Sequence, residues 1–262
     1  MSAVQTAADA GLGFLASLGR AWLLAWESMQ HFVGGLLRRE KVRWRESVAQ
    51  AFEAGNRSLP LVGLLTALIG MILALQSAEQ LKRFGATDLV ADLVSISVTR
   101  ELAPLITAIL VAGRVGSAMA AELGTMKVSE EIDALKVMGI DPVSFLVLPR
   151  LIGLGIALPC LTMLGDLLGI LGGLVVAVSV LEVPAGGYLR DCLDALAMED
   201  VWGGLLKAAL FAVVIGLICC ERGMSTSGGA AQVGRSTTSA VVRSIVFIIV
   251  VDLVVTALLY VN

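Results

Sequence analysis

Leu59-Pro-Leu-Val-Gly-Leu-Leu-Thr-Ala-Leu-Ile-Gly-Met-Ile-Leu-Ala-Leu75 is a run of 17 residues without a charge. With its flanks it reaches the ~20 residues that cross the hydrocarbon of a bilayer as a helix. Four more apolar runs follow it: Val98–Ala121, Val143–Leu181, Val201–Cys220 and Ser244–Val261. The whole 262-residue chain is 57% hydrophobic and only 16% charged, with a mean hydropathy of +0.89. A soluble domain carries about a quarter charged residues, and no segment here is polar enough to form one. The expected fold is therefore all-α, a polytopic membrane protein with about five transmembrane helices.

The segment Val143–Leu181 is interrupted only by Arg150 and Asp166. It is long for one span and barely enough for two. Charge decides between them. As a single span it leaves the loop with Arg222 and Arg235, plus Arg243, on the same side as the basic cluster Arg38, Arg39, Lys41, Arg43 and Arg45. It leaves the acidic connection Glu182–Asp200 on the other side. The positive-inside tendency then gives five spans, with the N-terminus cytoplasmic and the C-terminus periplasmic.

Before the first span, Arg20, Glu27, His31 and Arg38 share one helical face, with Leu15, Leu18, Trp22, Met29, Val33 and Leu36 opposite. This pattern suits an amphipathic helix lying in the membrane interface. Residues 1–50 are accordingly expected to form a cytoplasmic, interfacial segment, and 51–262 the transmembrane domain. The first residues make a poor signal peptide, so no cleavage is expected.

Several function classes are excluded. No GxxxxGK[ST] occurs, so the chain carries no P-loop. Its one histidine, His31, sits on the interfacial stripe, which leaves no His-based metal site or triad; no metal site is expected. The cysteines Cys160, Cys192, Cys219 and Cys220 have neither CxxC spacing nor a disulfide pattern. An intramembrane enzyme needs a nucleophile with a base, or paired acids, and the scattered carboxylates supply neither. No catalytic residue is assigned.

The most structured polar segment is Thr125–Pro142. Ser129 reads as an N-cap, Glu130, Glu131 and Asp133 lie in the first turns, and Gly139 suits the residue after the C-cap. Val128, Ile132, Leu135 and Met138 form a narrow apolar stripe. The expectation is a short capped helix over about 128–139, in a loop on the cytoplasmic side. Such a stripe with a polar back serves a membrane surface or a soluble partner equally well.

Three motifs occur in order: Arg100-Glu-Leu-Ala-Pro104, Ala112-Gly-Arg-Val-Gly-Ser-Ala-Met-Ala-Ala-Glu-Leu-Gly124 and Glu131-Ile-Asp-Ala-Leu-Lys-Val-Met-Gly-Ile-Asp-Pro142. Together with the ending Asp252–Asn262, they closely resemble the MlaE/YrbE permease family over residues 20 to 262. The resemblance implies the membrane subunit of a bacterial ABC transporter that moves phospholipids between inner and outer membranes and maintains outer-membrane lipid asymmetry. It implies a homodimer in the inner membrane and a cytoplasmic MlaF-like ABC ATPase that binds ATP and Mg, so that this chain needs no cofactor of its own. A periplasmic MlaD-like MCE-domain hexamer and a small MlaB-like STAS-domain protein complete the set, with phospholipid as the cargo and nucleic acid as no partner. The helix at Ser129–Met138 would then be the coupling helix. The anionic cytoplasmic leaflet repels its acids, so Glu130, Glu131 and Asp133 are expected to contact the ATPase, with Leu135 and Met138 as buried anchors.

Charges within the spans are the second signal, since each costs ~2.5–3.5 kcal/mol at the bilayer centre and so faces protein or water. Arg100, Glu101, Lys207 and Asp252 all fall in the outer half of the membrane. They suit a polar lipid pathway open to the periplasm, or interhelical ion pairs that hold the bundle. Glu101 and Lys207 are expected to face the central space of the dimer, with Leu64, Leu68 and Met71 as its apolar wall. Small residues around Arg114 and Asp166, among them Gly113, Gly116, Ala120, Gly165, Gly169 and Gly172, are expected to mark close helix packing. The rival reading is an autonomous ion-coupled transporter or channel relaying protons through Glu101, Lys207 and Asp252. It leaves the capped helix without a purpose.

Overall fold

The computed structural model describes residues 43–260, together with Gly19, Leu23, Leu24, Trp26, Glu27, Ser28 and Gln30. The expected interfacial stripe of Arg20, His31 and Arg38 lies outside the described residues; next to it, Leu24 packs against the main core and Ser28 is buried.

Among the described residues, five helices are long and apolar enough to cross a membrane: α1 (Trp44–Lys82), α2 (Val90–Val128), α4 (Val143–Val180), α6 (Met198–Met224) and α7 (Ala230–Tyr260). Two short helices join them, α3 (Glu131–Val137) after α2 and α5 (Ala185–Ala195) after α4. The ambiguous apolar segment is thus one continuous helix. At 1.5 Å per residue, the 39 residues of α1 extend about 58 Å, well beyond the ~30 Å hydrocarbon layer. Polar stretches expected to be loops are therefore helix ends. Most of the Gly/Ser/Thr-rich segment Glu221–Ser239 belongs to α6 and α7, and the division at residue 50 falls inside α1. α5 was not expected within the acidic connection; its buried Tyr188 and Cys192, four residues apart, seat it on the bundle.

Among the described residues, three π turns interrupt the ladders. Val98–Leu102 lies in α2 just ahead of Pro104, and Val143–Val147 opens α4 just ahead of Pro149. A proline has no N–H to donate and its ring crowds the carbonyl four residues back. Widening the preceding turn relieves that conflict. The third π turn, Ala112–Gly116 in α2, precedes no proline.

The most extensive helix pair is α1 on α4, and small residues explain it. A Cβ at Gly70 would overlap the Gly169 carbonyl, and one at Gly172 would overlap the Ala67 carbonyl. The backbones meet there, as expected for the small residues around Asp166. Around Arg114 the expectation divides: a Cβ at Gly116 would come within 2.8 Å of Cys219 Sγ on α6, whereas Gly113 faces open space. The main core fills the end of the bundle that carries α3, with Leu123, Leu154, Leu158, Phe211, Ile215 and Ile248. A smaller cluster of Val90, Val94, Val98 and Val176 lies toward the α5 end.

Candidate functional site

Lys207 is the centre of the intramembrane charge cluster. It lies on α6 one turn beyond Gly204, where a Cβ would overlap the Thr99 carbonyl of α2. That contact brings the Lys207 ammonium between α2 and α7. Nζ donates to Glu101 Oε2 at 2.6 Å and to Thr256 Oγ1 at 2.7 Å. Asp252 Oδ1 forms an ion pair with it at 3.0 Å. Thr256 donates onward to the second Glu101 oxygen at 3.0 Å. A cation in this low-dielectric setting is tolerable because carboxylates on two helices surround it.

Arg100 occupies the neighbouring position on the same π turn. Its Nε contacts Asp200 Oδ1 at 2.5 Å, and Asp200 also accepts from the Ala197 N–H and so closes the first turn of α6. The two clusters differ in exposure. Lys207 has no exposed surface, while Glu101 and Arg100 keep 34% and 35% of their side chains exposed. Lys207 is therefore sealed within this chain and does not itself line an open space, contrary to expectation; it holds Glu101, which is part-exposed. α2 thus presents a cation and an anion side by side, each fixed from behind by a buried partner on α6.

The expected wall divides too. Leu64 and Leu68 are exposed on α1, whereas Met71 turns inward and packs against the smaller core cluster. α7 shows a long exposed apolar face, including Val246, Ile249, Leu253 and Leu258. Such a face requires lipid or another protein surface in a membrane.

At the opposite end, α3 is seven residues long and shorter than expected. Ser129 is not its N-cap. The chain reverses through Glu130, whose φ of 62° is left-handed, and the Ser129 hydroxyl donates back to the Thr125 carbonyl at 3.0 Å. The C-terminal signal holds: Gly139, at φ 73°, donates to Lys136 O while Ile140 donates to Leu135 O, a Schellman closure that favours glycine. Lys127 donates to Asp133 at 2.7 Å and ties α3 to the last turn of α2. That bond holds the Asp133 carboxyl below its ordinary value. Ile132 is buried in the main core and Leu135 packs partly against it. The apolar stripe is therefore divided, with Met138 (64%) exposed at the tip, beside Val137 (90%), which the stripe did not include. Glu130 and Glu131 are also exposed.

Two further features were not legible in the sequence. Arg150, buried in α4, pairs with Glu122 of α2 at 2.8 Å and donates to Leu146 O. Thr256 joins the Lys207 cluster. Among the described residues no group of three or more His, Cys, Asp or Glu side chains is placed to hold a metal ion.

Five helices of membrane-spanning length, a backbone-tight α1–α4 seam and a buried lysine between two carboxylates define a multi-pass membrane protein. The family described as Permease MlaE matches residues 47–258, and the chain belongs to it. A probable ABC transporter permease protein of Rickettsia typhi is 43% identical over 206 residues, covering 79% of this chain and 80% of its own. One from Synechocystis is 38% identical over 230 residues, covering 88% and 86%. The chloroplastic protein TRIGALACTOSYLDIACYLGLYCEROL 1 of Arabidopsis thaliana is 37% identical over 220 residues, covering 84% of this chain and 63% of its own.

Proposed function

We propose that this chain is the permease subunit of an ABC transporter that moves phospholipids between the inner and outer membranes of a bacterium. It works as a homodimer, with the α3 end cytoplasmic and the α5 end periplasmic. Glu101 and Arg100, exposed side by side on α2 and held by Lys207 and Asp200, carry the lipid reading. Their paired charges match a headgroup that carries a phosphate, while Leu64, Leu68 and the bare face of α7 match acyl chains and the second copy. The chloroplast relative carries the name of a galactose-bearing diacylglycerol lipid, which supports a diacylglycerol lipid as cargo while the phosphate rests on the Arg100–Glu101 pair.

Energy comes from a separate ATPase, which docks on the exposed tip of α3 through Glu130, Glu131 and Met138. A periplasmic MCE-domain hexamer receives or delivers the lipid at the α5 end, and a STAS-domain protein accompanies the ATPase. ATP and Mg are bound by the partner. The test is purification of the tagged chain from bacterial inner membrane in mild detergent. Co-purification of an ABC ATPase and bound phospholipid is the expected result. An isolated chain that transports an ion or solute in liposomes without an ATPase overturns the reading.

A further inference from the structure

A second charged cavity opens at the α3 end, between the first turns of α1 and the last third of α2. Gln50, Glu53 and Arg57 line one side; Arg114, Met119 and Glu122 line the other. Its volume is 470 Å³, within the ~300–1,000 Å³ of small-molecule sites. Its carboxylates are already engaged: Glu53 pairs with Arg57 at 2.9 Å and Glu122 with the buried Arg150 at 2.8 Å. Arg114 is exposed, and among the described residues its guanidinium has no ion pair or hydrogen bond. The cavity therefore carries one uncompensated cation.

Arg114 lies 14 residues before the end of α2, or about 21 Å. In a helix that overruns the bilayer at both ends, this position is inside the hydrocarbon edge on the α3 side. An unpaired charge there is costly. The backbone beneath it is also specialised, because Arg114 is the central residue of the one π turn that no proline explains. The turn lets Gly116 press against Cys219 of α6 while Arg114 points away into the cavity. The other π turn of α2 carries Arg100 and Glu101. Each π turn of α2 thus presents charge, one nearer the α5 end of the bundle and one nearer the α3 end.

We propose that this cavity is a second lipid-headgroup site, distinct from the Arg100–Glu101 site, in which the Arg114 guanidinium binds the phosphodiester of a phospholipid from the leaflet on the α3 side. The proposal rests on the lipid reading above. Arg114 supplies a planar donor fork that matches phosphate oxygens. The neutralised pairs on either side line the cavity without repelling the anion, and Met119 and Val115 accept the glycerol end.

The test places the photoreactive residue p-benzoylphenylalanine at Ala118 on the cavity wall, or at Leu68 on the exposed apolar face of α1 proposed above to meet acyl chains, in the full chain. Cells expressing it are labelled with 32P-orthophosphate, and the irradiated membranes are scored for radioactive phospholipid adducts on the protein. The expected result is an adduct at 118 that falls about ten-fold in Arg114→Gln and is largely kept in Arg114→Lys, as loss of one charge-assisted contact implies. The adduct at 68 is unchanged by both. An adduct at 118 insensitive to Arg114→Gln means bulk lipid contact and overturns the proposal. So does a crosslink from 118 to a second copy of the chain, or calorimetric binding of inorganic phosphate to the detergent-solubilised protein without a lipid adduct. An adduct at 68 alone overturns this site and leaves the transport reading standing; adducts at neither position overturn both.

Discussion

Replacing Lys207 with methionine keeps most of the side-chain volume and removes the cation that bridges Glu101 and Asp252. Its Nζ lies 2.6 Å from one carboxylate and 3.0 Å from the other. At an effective dielectric of ~20, each contact represents on the order of 5–6 kcal/mol of Coulomb attraction, most of it offset by desolvating three ions. What remains after Lys207→Met is two carboxylates facing each other without a counter-charge. Breaking a buried pair from one side costs about 3–5 kcal/mol. Neutralising a carboxylate in the same background should return part of that loss, because the repulsion disappears with it. The expected order of stability is wild type, then Asp252→Asn, then Lys207→Met with Asp252→Asn, then Lys207→Met, with Lys207→Glu last. Unfolding of the detergent-solubilised full chain by SDS titration, followed by circular dichroism, reads these differences as a double-mutant cycle. If Lys207→Met costs less than about 1 kcal/mol, or if Asp252→Asn deepens its loss, the cluster is not the electrostatic clamp described here.

Gly172→Val forces a side chain into the Ala67 carbonyl of α1 and should lower the thermal midpoint markedly, whereas Gly155→Val, which faces open space, should change it little. Met138→Asp at the exposed tip of α3 should leave membrane insertion intact yet release the ATPase in pull-down; the half-buried Leu135→Asp should also loosen α3 itself. Asp133 is depressed below its ordinary value of about 3.8 by Lys127. The stability it lends α3 is therefore full above that ordinary value and is lost as pH falls through the lower folded value. Amide exchange of Ala134–Val137 should accelerate in that acidic window, and Asp133→Asn should remove the pH dependence.

The five spans were legible because insertion into lipid leaves a long uncharged signature, and basic residues settled whether Val143–Leu181 turns back. The helix ends were not legible. Arg235, Ser236 and Thr238 read as loop residues, yet the first turns of α7 are helical because Ser236 and Ala240 are buried against the bundle. Tertiary packing overrides local propensity there. Ser129 misled for a related reason. Only two residues separate α2 from α3, so the chain turns through a left-handed Glu130, and the serine completes α2 instead of capping α3. The four intramembrane charges stood out individually, but depth along a span does not reveal which side chains meet. The pairing of Arg100 with Asp200 and of Glu122 with Arg150 depends on how α2 rotates against α6 and α4, which the π turns re-phase.

The glycine seam between α1 and α4 has a mechanical consequence. Where two backbones touch with only hydrogen between them, neither helix can slide or roll without collision, so the pair behaves as a single stiff plate. α3 joins that plate through the five residues that separate it from α4. A push delivered at α3 is therefore expected to move α4 and α1 together, with relative motion taken up elsewhere, as at the boundary that α7 shares with its neighbours. Spin labels on α1 and α4 should keep a constant separation through the nucleotide cycle, while those on α1 and α7 move apart and return.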